Sequence, residues 1–173
     1  MRDDPADYRL LVRWRGEPHV HEWWDPDEPA PTYDEVVAHY GPRVRGEDST
    51  TACIIELGGR PVGYVQFYRW DSWPKDAGEM AVDFDEHSHG IDIHIGEPDA
   101  IDRGLGSRAV DLLCAYLERE RGASQIALTT ELANTRAQRA YEKAGFHKVR
   151  EVLDTDTRDG ERVRCWLMVR DRR

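Results

Sequence analysis

The sequence is poor in cysteine and has no long hydrophobic run, and both absences narrow its class. Its three cysteines, Cys53, Cys114 and Cys165, are an odd number without the paired spacing of zinc ligands. They argue against a disulfide framework and fit a reducing, cytoplasmic compartment. No apolar run approaches the roughly 20 residues that a membrane span needs. The first residues also lack a basic segment followed by an apolar one, so we expect no signal peptide and no membrane partner.

Basic residues are outnumbered by acidic ones, with 24 Lys and Arg against 34 Asp and Glu, which gives a formal net charge of -10. Nucleic-acid binding depends on Lys and Arg that neutralise phosphates, so we expect no nucleic-acid partner. A negative surface attracts cations over long distances, but it also serves solubility alone. The charge therefore leaves two alternatives open, a cationic partner and a merely solvated surface.

The length of 173 residues, 39% of them hydrophobic, suits one globular domain over residues 1–173. Periodicity predicts helices over 3–15, 32–40, 104–121 and 134–144, and strands over 51–57, 61–70, 90–95, 125–129, 146–155 and 161–170. Gly41-Pro42 is predicted to end the second helix, and Asp159-Gly160 to turn the last two strands into a hairpin. Strand-helix-strand units need parallel neighbours and hairpins need antiparallel ones. The fold class is therefore α/β, with a central twisted mixed sheet flanked by helices.

A glycine loop opens the third predicted helix. A helix N-terminus offers free N–H groups and a partial positive charge, so anions bind there. The glycines let a pyrophosphate approach the backbone, and the flanking arginines can add charge-assisted hydrogen bonds. A G-x-G also serves packing alone, so the loop by itself allows either interpretation. Its residues are Arg103, Gly104, Leu105, Gly106, Ser107 and Arg108.

A second segment begins about thirty residues later. There a helix starts at Asn134, carries Tyr141 and stops at Gly145, a residue suited to a left-handed cap. The order of segments is strand 90–95, the R-G-x-G-x loop, helix, strand, and N-x6-Y-x-K-x-G-F. This order resembles the acyl-CoA site of the GNAT superfamily of N-acetyltransferases, and the resemblance covers about residues 50–170.

The resemblance implies a GNAT fold with acetyl-CoA as co-substrate. The glycine loop would hold its pyrophosphate, the backbone of Ile93, His94 and Ile95 would pair with its pantetheine, and Asn134 would contact it. Backbone N–H groups of that strand would stabilise an oxyanion, and Tyr141 would protonate the departing thiolate. From the residues alone, Tyr141 can equally be a core tyrosine. The family often has Gln or Arg three residues before the first glycine, where this chain has Ile101.

The stretch His19-Val-His-Glu22-Trp23-Trp24 resembles the H-x-x-E-W-W of the aminoglycoside 6'-N-acetyltransferases, enzymes of antibiotic resistance. The likeness continues at Pro31-Thr32, at Tyr40, and in the segments 61–64 and 90–92. It implies that Trp23, Trp24, Tyr40 and Asp92 line an acceptor site, and that Asp92 binds or deprotonates the reacting ammonium. Asp92 can also be a strand-end residue that caps a turn. Thr129, where relatives have Asp, leaves the substrate range open.

An acidic stretch spans residues 71–92. Clustered carboxylates attract a polyamine, and Trp70 and Trp73 offer flat faces for sugar rings, but such a run is also typical of a solvated loop. The histidines lack the spacing of a metal site, so we expect no metal. The acids are Asp71, Asp76, Glu79, Asp83, Asp85, Glu86 and Asp92, against a single base, Lys75.

Other functions stay open at this stage. One is acylation of a siderophore hydroxylysine or of a protein N-terminal amine, and another is a module that binds acyl-CoA or a cationic drug without turnover. The resemblance also implies a strand before the first helix, which the chain lacks or which lies upstream of Met1. Its absence would expose a sheet edge that a covering loop or a homodimer protects, so both monomer and homodimer remain possible.

Overall fold

The helices and strands of the computed structural model follow the predicted order, with one short helix after the first that was not predicted. The structure describes residues 1–74, 84–158 and 161–172, so the Asp159-Gly160 turn lies outside it. The helices are α1 (Pro5–Arg15), α2 (Pro18–His21), α3 (Tyr33–Arg45), α4 (Leu105–Glu120) and α5 (Thr135–Lys143). The strands are β1 (Thr51–Leu57), β2 (Arg60–Arg69), β3 (Ser88–Ile95), β4 (Gln125–Glu131), β5 (His147–Arg158) and β6 (Glu161–Asp171).

The strands form a mixed sheet in the order β1-β2-β3-β4-β6-β5. β1 and β2 are an antiparallel hairpin, whose turn uses Gly58 and Gly59 at φ values of 60° and 81°. β3 and β4 are parallel, and α4 is the crossover that such a pair requires. β6 pairs antiparallel with both β4 and β5. The prediction of a mixed sheet is confirmed, and no described residue forms a strand before α1.

Local signals set most helix ends. The side chain of Asp4 caps α1 by accepting from the Ala6 N–H at 2.7 Å. Thr32 and Glu35 form the predicted capping box, in which the Glu35 carboxylate accepts from the Thr32 N–H at 2.7 Å. Gly145, after α5, takes a φ of 90°, as the predicted stop requires.

The predicted end of the second helix at Gly41-Pro42 is wrong, because α3 contains Pro42 and ends at Gly46, whose φ is 74°. A proline disfavours helical backbone in the residue before it through a clash with that residue's Cβ. Gly41 has no Cβ, so the clash is relieved. Contacts of Arg43 with Gln66 and Asp48 then hold the last turn.

The chain divides into two compact units. The first comprises Met1–Phe67 and Asp92–Leu105, and the second Tyr68–Ile91 and Gly106–Arg173. The prediction of a single acetyltransferase domain stays a prediction. In the first unit, α1 and α3 pack around a core that includes Leu11, Trp14, Tyr40 and Tyr64.

The second unit has its own core and a buried ion pair. Its apolar cluster includes Trp70 and Leu167. Arg170 on β6 is buried and donates to Asp111 at 2.8 Å, to Glu118 at 3.1 Å and to the Ala144 carbonyl at 2.6 Å. These bonds tie β6 to α4 and to the end of α5.

Within the described ranges, no helix is both long and apolar enough to cross a membrane. A cytoplasmic location stays a prediction.

Candidate active site

Asp92 lies on β3 in the first unit, at the end of a chain of hydrogen bonds. The Gln66 side-chain nitrogen Nε2 donates to Asp92 Oδ2 at 2.7 Å. The Gln66 oxygen Oε1 in turn accepts from Arg43 Nη1 at 2.7 Å and from the Tyr64 hydroxyl at 2.8 Å. Burial is the main cause that raises the pKa of Tyr64, so this phenol stays protonated and donates. One oxygen of the Asp92 carboxylate is thus held by a fixed amide.

His94 lies two residues further along β3 and faces the same side of the strand as Asp92. Its ring centre is 4.8 Å from that of Trp24, 5.6 Å from that of Tyr64 and 6.2 Å from that of Trp14. The residue is 9% exposed, and neither ring nitrogen has a hydrogen-bond partner among the described residues. Burial, with smaller contributions from Arg15 and His19, lowers the pKa of His94 to about 3. The side chain is therefore neutral.

The two predicted acceptor-site tryptophans follow α2, and both are half-buried. Trp24 contacts Tyr64 edge-on at 6.1 Å, and the Arg15 guanidinium lies 5.6 Å from its ring centre. Tyr40, in contrast, is buried, with 1% of its surface exposed. Its hydroxyl accepts a hydrogen bond from Arg15 Nη1 at 2.9 Å. Its ring belongs to the core of the first unit, and its place at the edge of an acceptor site stays a prediction.

His19 has a position that its sequence did not reveal. Its Nε2 lies 3.0 Å from the carbonyl oxygen of Ile95, so α2 is tied to the end of β3. The sequence predicted no contact for His19. Its place in the H-x-x-E-W-W segment was the available signal, since that segment carries the acceptor-site tryptophans.

The glycine loop begins in the first unit. Gly104 takes a φ of 74°, and no described atom lies within 4 Å of the point where a Cβ would stand. Arg103 is exposed and donates to the Asp99 carbonyl at 3.4 Å, and α4 starts at Leu105. The other three loop residues, Gly106, Ser107 and Arg108, belong to the first turn of α4 in the second unit.

Asn134 and Tyr141 belong to the second unit. The Asn134 side-chain oxygen accepts from the Ala137 N–H at 3.1 Å, so it caps α5, a role that the sequence did not assign to it. Tyr141 is 8% exposed, and its ring centre lies 5.9 Å from that of Phe146. Contact of Asn134 with a cofactor and the acid role of Tyr141 stay predictions.

The acidic stretch is only partly described, since Lys75, Asp76, Glu79 and Asp83 lie outside the described residues. Asp71 pairs with Arg69, whose hydrogen bond lowers the pKa of that carboxyl. Asp85 accepts from Ser88 Oγ at 2.8 Å, from the His87 N–H at 2.9 Å and from Ser124 Oγ at 3.1 Å. The Ser88 hydrogen bond is the main cause that lowers the pKa of Asp85. These two carboxylates hold local structure.

The tryptophans of this stretch differ. Trp70 is 3% exposed and stacks on Phe84 with 4.6 Å between ring centres, so its suggested role as a surface for sugars is corrected. Trp73 is 36% exposed, with its ring centre 6.0 Å from that of Tyr68. No set of three or more His, Cys, Asp or Glu side chains in the described ranges is arranged to hold a metal ion.

Known proteins match this arrangement over most of the chain. Residues 3–153 match the family described as "Acetyltransferase (GNAT) domain". The chain is 32% identical over 154 residues to aminoglycoside N(6')-acetyltransferase type 1 of Klebsiella pneumoniae, covering 87% of this chain and 74% of that protein.

Solved structures agree with the sequence match. AAC(6')-Ib in complex with ribostamycin and coenzyme A has a TM-score of 0.85 at 30% identity, covering 99% of this chain and 90% of that one. The same enzyme with coenzyme A and kanamycin has a TM-score of 0.84 at 30% identity and covers 99% and 92%. With its mixed sheet, its glycine loop and these matches, the chain belongs to the GNAT family of acetyltransferases.

Proposed function

We propose that this acetyltransferase transfers the acetyl group of acetyl-CoA to an amine of a cationic small molecule, namely the 6'-amino group of an aminoglycoside. The 32% identical relative is named for that reaction, and the solved relatives are complexes with coenzyme A and with aminoglycosides. The observation that carries the proposal is Asp92. Gln66 on β2 holds the Asp92 carboxylate by a hydrogen bond. Asp92 lies on β3, and the residues that follow it, Ile93 to Ile95, are expected to face the thioester.

The residues of the loop suit the pyrophosphate of acetyl-CoA. Gly104 has a left-handed backbone with open space on its Cβ side, so an anion can approach the amides there. Arg103 and Arg108 are exposed cations beside that backbone. We assign these residues and the first amides of α4 to anion binding, and the Ile93–Ile95 backbone to the acyl group.

Acetyl-CoA supplies an acyl carbon that an amine can attack. Asp92 accepts a proton from the acceptor ammonium, which frees the nitrogen lone pair. The new C–N bond forms as the C–S bond breaks, while backbone N–H groups of Ile93–Ile95 stabilise the carbonyl oxygen. Tyr141 gives its proton to the departing sulfur, and the acylated nitrogen loses its second proton to solvent. Asp92 then releases its proton to solvent and Tyr141 regains one, so both side chains return to their starting states.

The acceptor side suits a cation. The net charge of -10 attracts a polyamine over long distances. Trp24 is half-buried and contacts Tyr64 and His94, on the face that carries Asp92. Trp23, its neighbour in the chain, is also half-buried, and we assign both tryptophans to the apolar faces of sugar rings.

The test is a thiol-release assay with acetyl-CoA and one of several amines: kanamycin, ribostamycin, a lysine analogue, a hydroxylated diamine or a panel of peptides. We expect release with the aminoglycosides, and product mass spectra with one added acetyl group on the 6'-amine. Release with the hydroxylated diamine and none with any aminoglycoside would overturn the proposal.

The role of Asp92 is tested separately. Asp92→Asn removes the proton acceptor but keeps the oxygen that Gln66 contacts, so kcat/KM should fall by about 10²-fold or more. Asp34→Asn, an exposed carboxylate in the first turn of α3, is the matched control and should keep wild-type kinetics. Equal activity of the two variants would remove Asp92 from the mechanism.

A further inference from the structure

Arg43 is a largely buried cation near the end of α3 that the mechanism above does not use. Its side chain is 12% exposed. The nearest carboxylate, Asp48, is 3.8 Å from its Nε, which has no hydrogen-bond partner among the described residues. A 2.7 Å hydrogen bond runs from its Nη1 to the Gln66 oxygen, and the guanidinium also interacts with the Tyr64 hydroxyl. The cation is thus directed mainly at neutral groups.

That contact decides which way the Gln66 amide points. Arginine has only donors, and the protonated Tyr64 hydroxyl donates as well, so both require the amide oxygen to face them. An amide turned over would bring its NH2 group against two donors. With Arg43 and Tyr64 in place, the NH2 group of Gln66 therefore faces Asp92. Its Nε2 lies 2.7 Å from Asp92 Oδ2.

We propose that Arg43 is a positioning residue for acyl transfer, which acts through Gln66 to hold the Asp92 carboxylate in its orientation toward the acceptor amine. This inference rests on the proposed function of Asp92. Hydrogen bonds in a chain polarise each other, so the guanidinium also strengthens the Gln66 N–H donor toward Asp92. Without the guanidinium, only the Tyr64 hydroxyl still donates to the amide oxygen, so Gln66 is held less firmly and positions Asp92 less well.

The path of α3 agrees with this role. A proline inside a helix removes a hydrogen bond and strains the preceding turn. α3 nevertheless continues past Pro42 for a further turn, and Arg43 is the first residue of that extension. The extension places the guanidinium over the ring of Tyr40, 5.4 Å from its centre, and in reach of Gln66.

The closing experiment measures kcat and KM for Arg43→Met and for a matched control, Arg45→Met, with acetyl-CoA and kanamycin. Arg45 lies on the same helix, is 41% exposed and donates to Glu47. Because a misplaced catalytic group lowers the rate of the chemical step, kcat should fall about 10-fold or more in Arg43→Met, with an unchanged KM for acetyl-CoA. Arg45→Met should keep the wild-type kcat.

Variants at Gln66 separate positioning from general packing. Gln66→Met removes the same link from its other end, so the double variant with Arg43→Met should lose no more kcat than either single variant. Gln66→Glu keeps an acceptor for Arg43 but sets a carboxylate against Asp92, so its loss should be larger than that of Gln66→Met. Additive losses in the double variant would overturn the inference.

Folding of each variant is checked by its thermal unfolding curve. If Arg43→Met does not fold, Arg43→Lys replaces it, with Arg45→Lys as its control; the lysine nitrogen ends one bond short of Nη1, so kcat should still fall. If the wild-type enzyme is active and the Arg43 variant keeps the same kcat, the positioning role is overturned but the proposed function is not. A wild-type protein that releases no thiol with any amine would overturn the proposed function and this inference with it.

Discussion

Replacing His94 with leucine should stabilise the protein, which is an unusual outcome for a buried residue on a central strand. His94 is 9% exposed among aromatic rings, and its nitrogens have no partner in the part of the chain that the structure describes. A buried polar group without a hydrogen bond costs about 1–3 kcal/mol. Leucine has a similar size and no polar atom, so His94→Leu should raise the free energy of unfolding by about 1–3 kcal/mol at pH 7.

The same substitution should change how stability depends on pH. The pKa of His94 is about 3 in the folded protein, against 6.5 for an ordinary histidine. Below pH 6.5 the unfolded chain therefore binds a proton that the folded protein excludes, so stability falls as the pH falls toward 3. From pH 7 to pH 5 this loss amounts to about 2 kcal/mol for one such group. The leucine variant lacks it, and its advantage over the wild type should grow as the pH is lowered.

The assay is urea unfolding followed by tryptophan fluorescence at pH 7, 6 and 5. Burial also lowers the pKa values of His39 and His89, but both residues are present in both proteins, so their contributions cancel in the difference. His87→Leu, at a solvent-exposed histidine, is the control and should give no pH-dependent gain. A stability difference for His94→Leu that is the same at pH 7 and pH 5 would refute the assignment of a buried, neutral, unpaired imidazole.

Three further substitutions test other features. Gly104→Ala should lower the free energy of unfolding by about 1–2 kcal/mol, because a φ of 74° strains any residue with a Cβ. The same variant should raise the KM for acetyl-CoA in thiol-release kinetics. Tyr141→Phe should lower kcat by roughly 10- to 100-fold without abolishing it, since positioning of the reactants remains; an unchanged kcat would exclude the acid role. Arg170→Leu should lower stability by about 3 kcal/mol in urea unfolding, because it leaves Asp111 and the largely buried Glu118 without their cation.

The parts of the fold that depend on neighbours in sequence could be predicted from it. The capping box of Thr32 and Glu35, the Gly58-Gly59 turn and the stop at Gly145 each act within a few residues. The end of α3 could not, because Arg43 and its partner Gln66, 23 positions away, hold the turn after Pro42. A signal for breaking a helix is local, whereas the contact that outweighs it is set by the tertiary fold.

Aromatic residues are an ambiguous guide to the candidate site. Tyr40 and Trp70 were both considered for binding surfaces, and both rings are buried. Large aromatic side chains dominate cores and ligand pockets alike, so residue type alone does not separate the two roles. Trp24 shows how the structure separates them, since it contacts the core through Tyr64 yet stays half-buried.

The polar face around Asp92 depends on strand register. This explains why Asp92 could be predicted from the sequence but its partner Gln66 could not. Asp92 and His94 share one side of β3 because side chains alternate along a strand, and the same period places Tyr64 and Gln66 together on β2. Which pair meets which depends on how β2 aligns with β3. Gly63 permits the close approach of the two strands in this alignment, since a Cβ there would lie 2.5 Å from the His94 carbonyl oxygen. A slip by one residue would turn every side chain to the opposite side and separate Gln66 from Asp92, so the site depends on a register that a residue with a Cβ at position 63 would disturb.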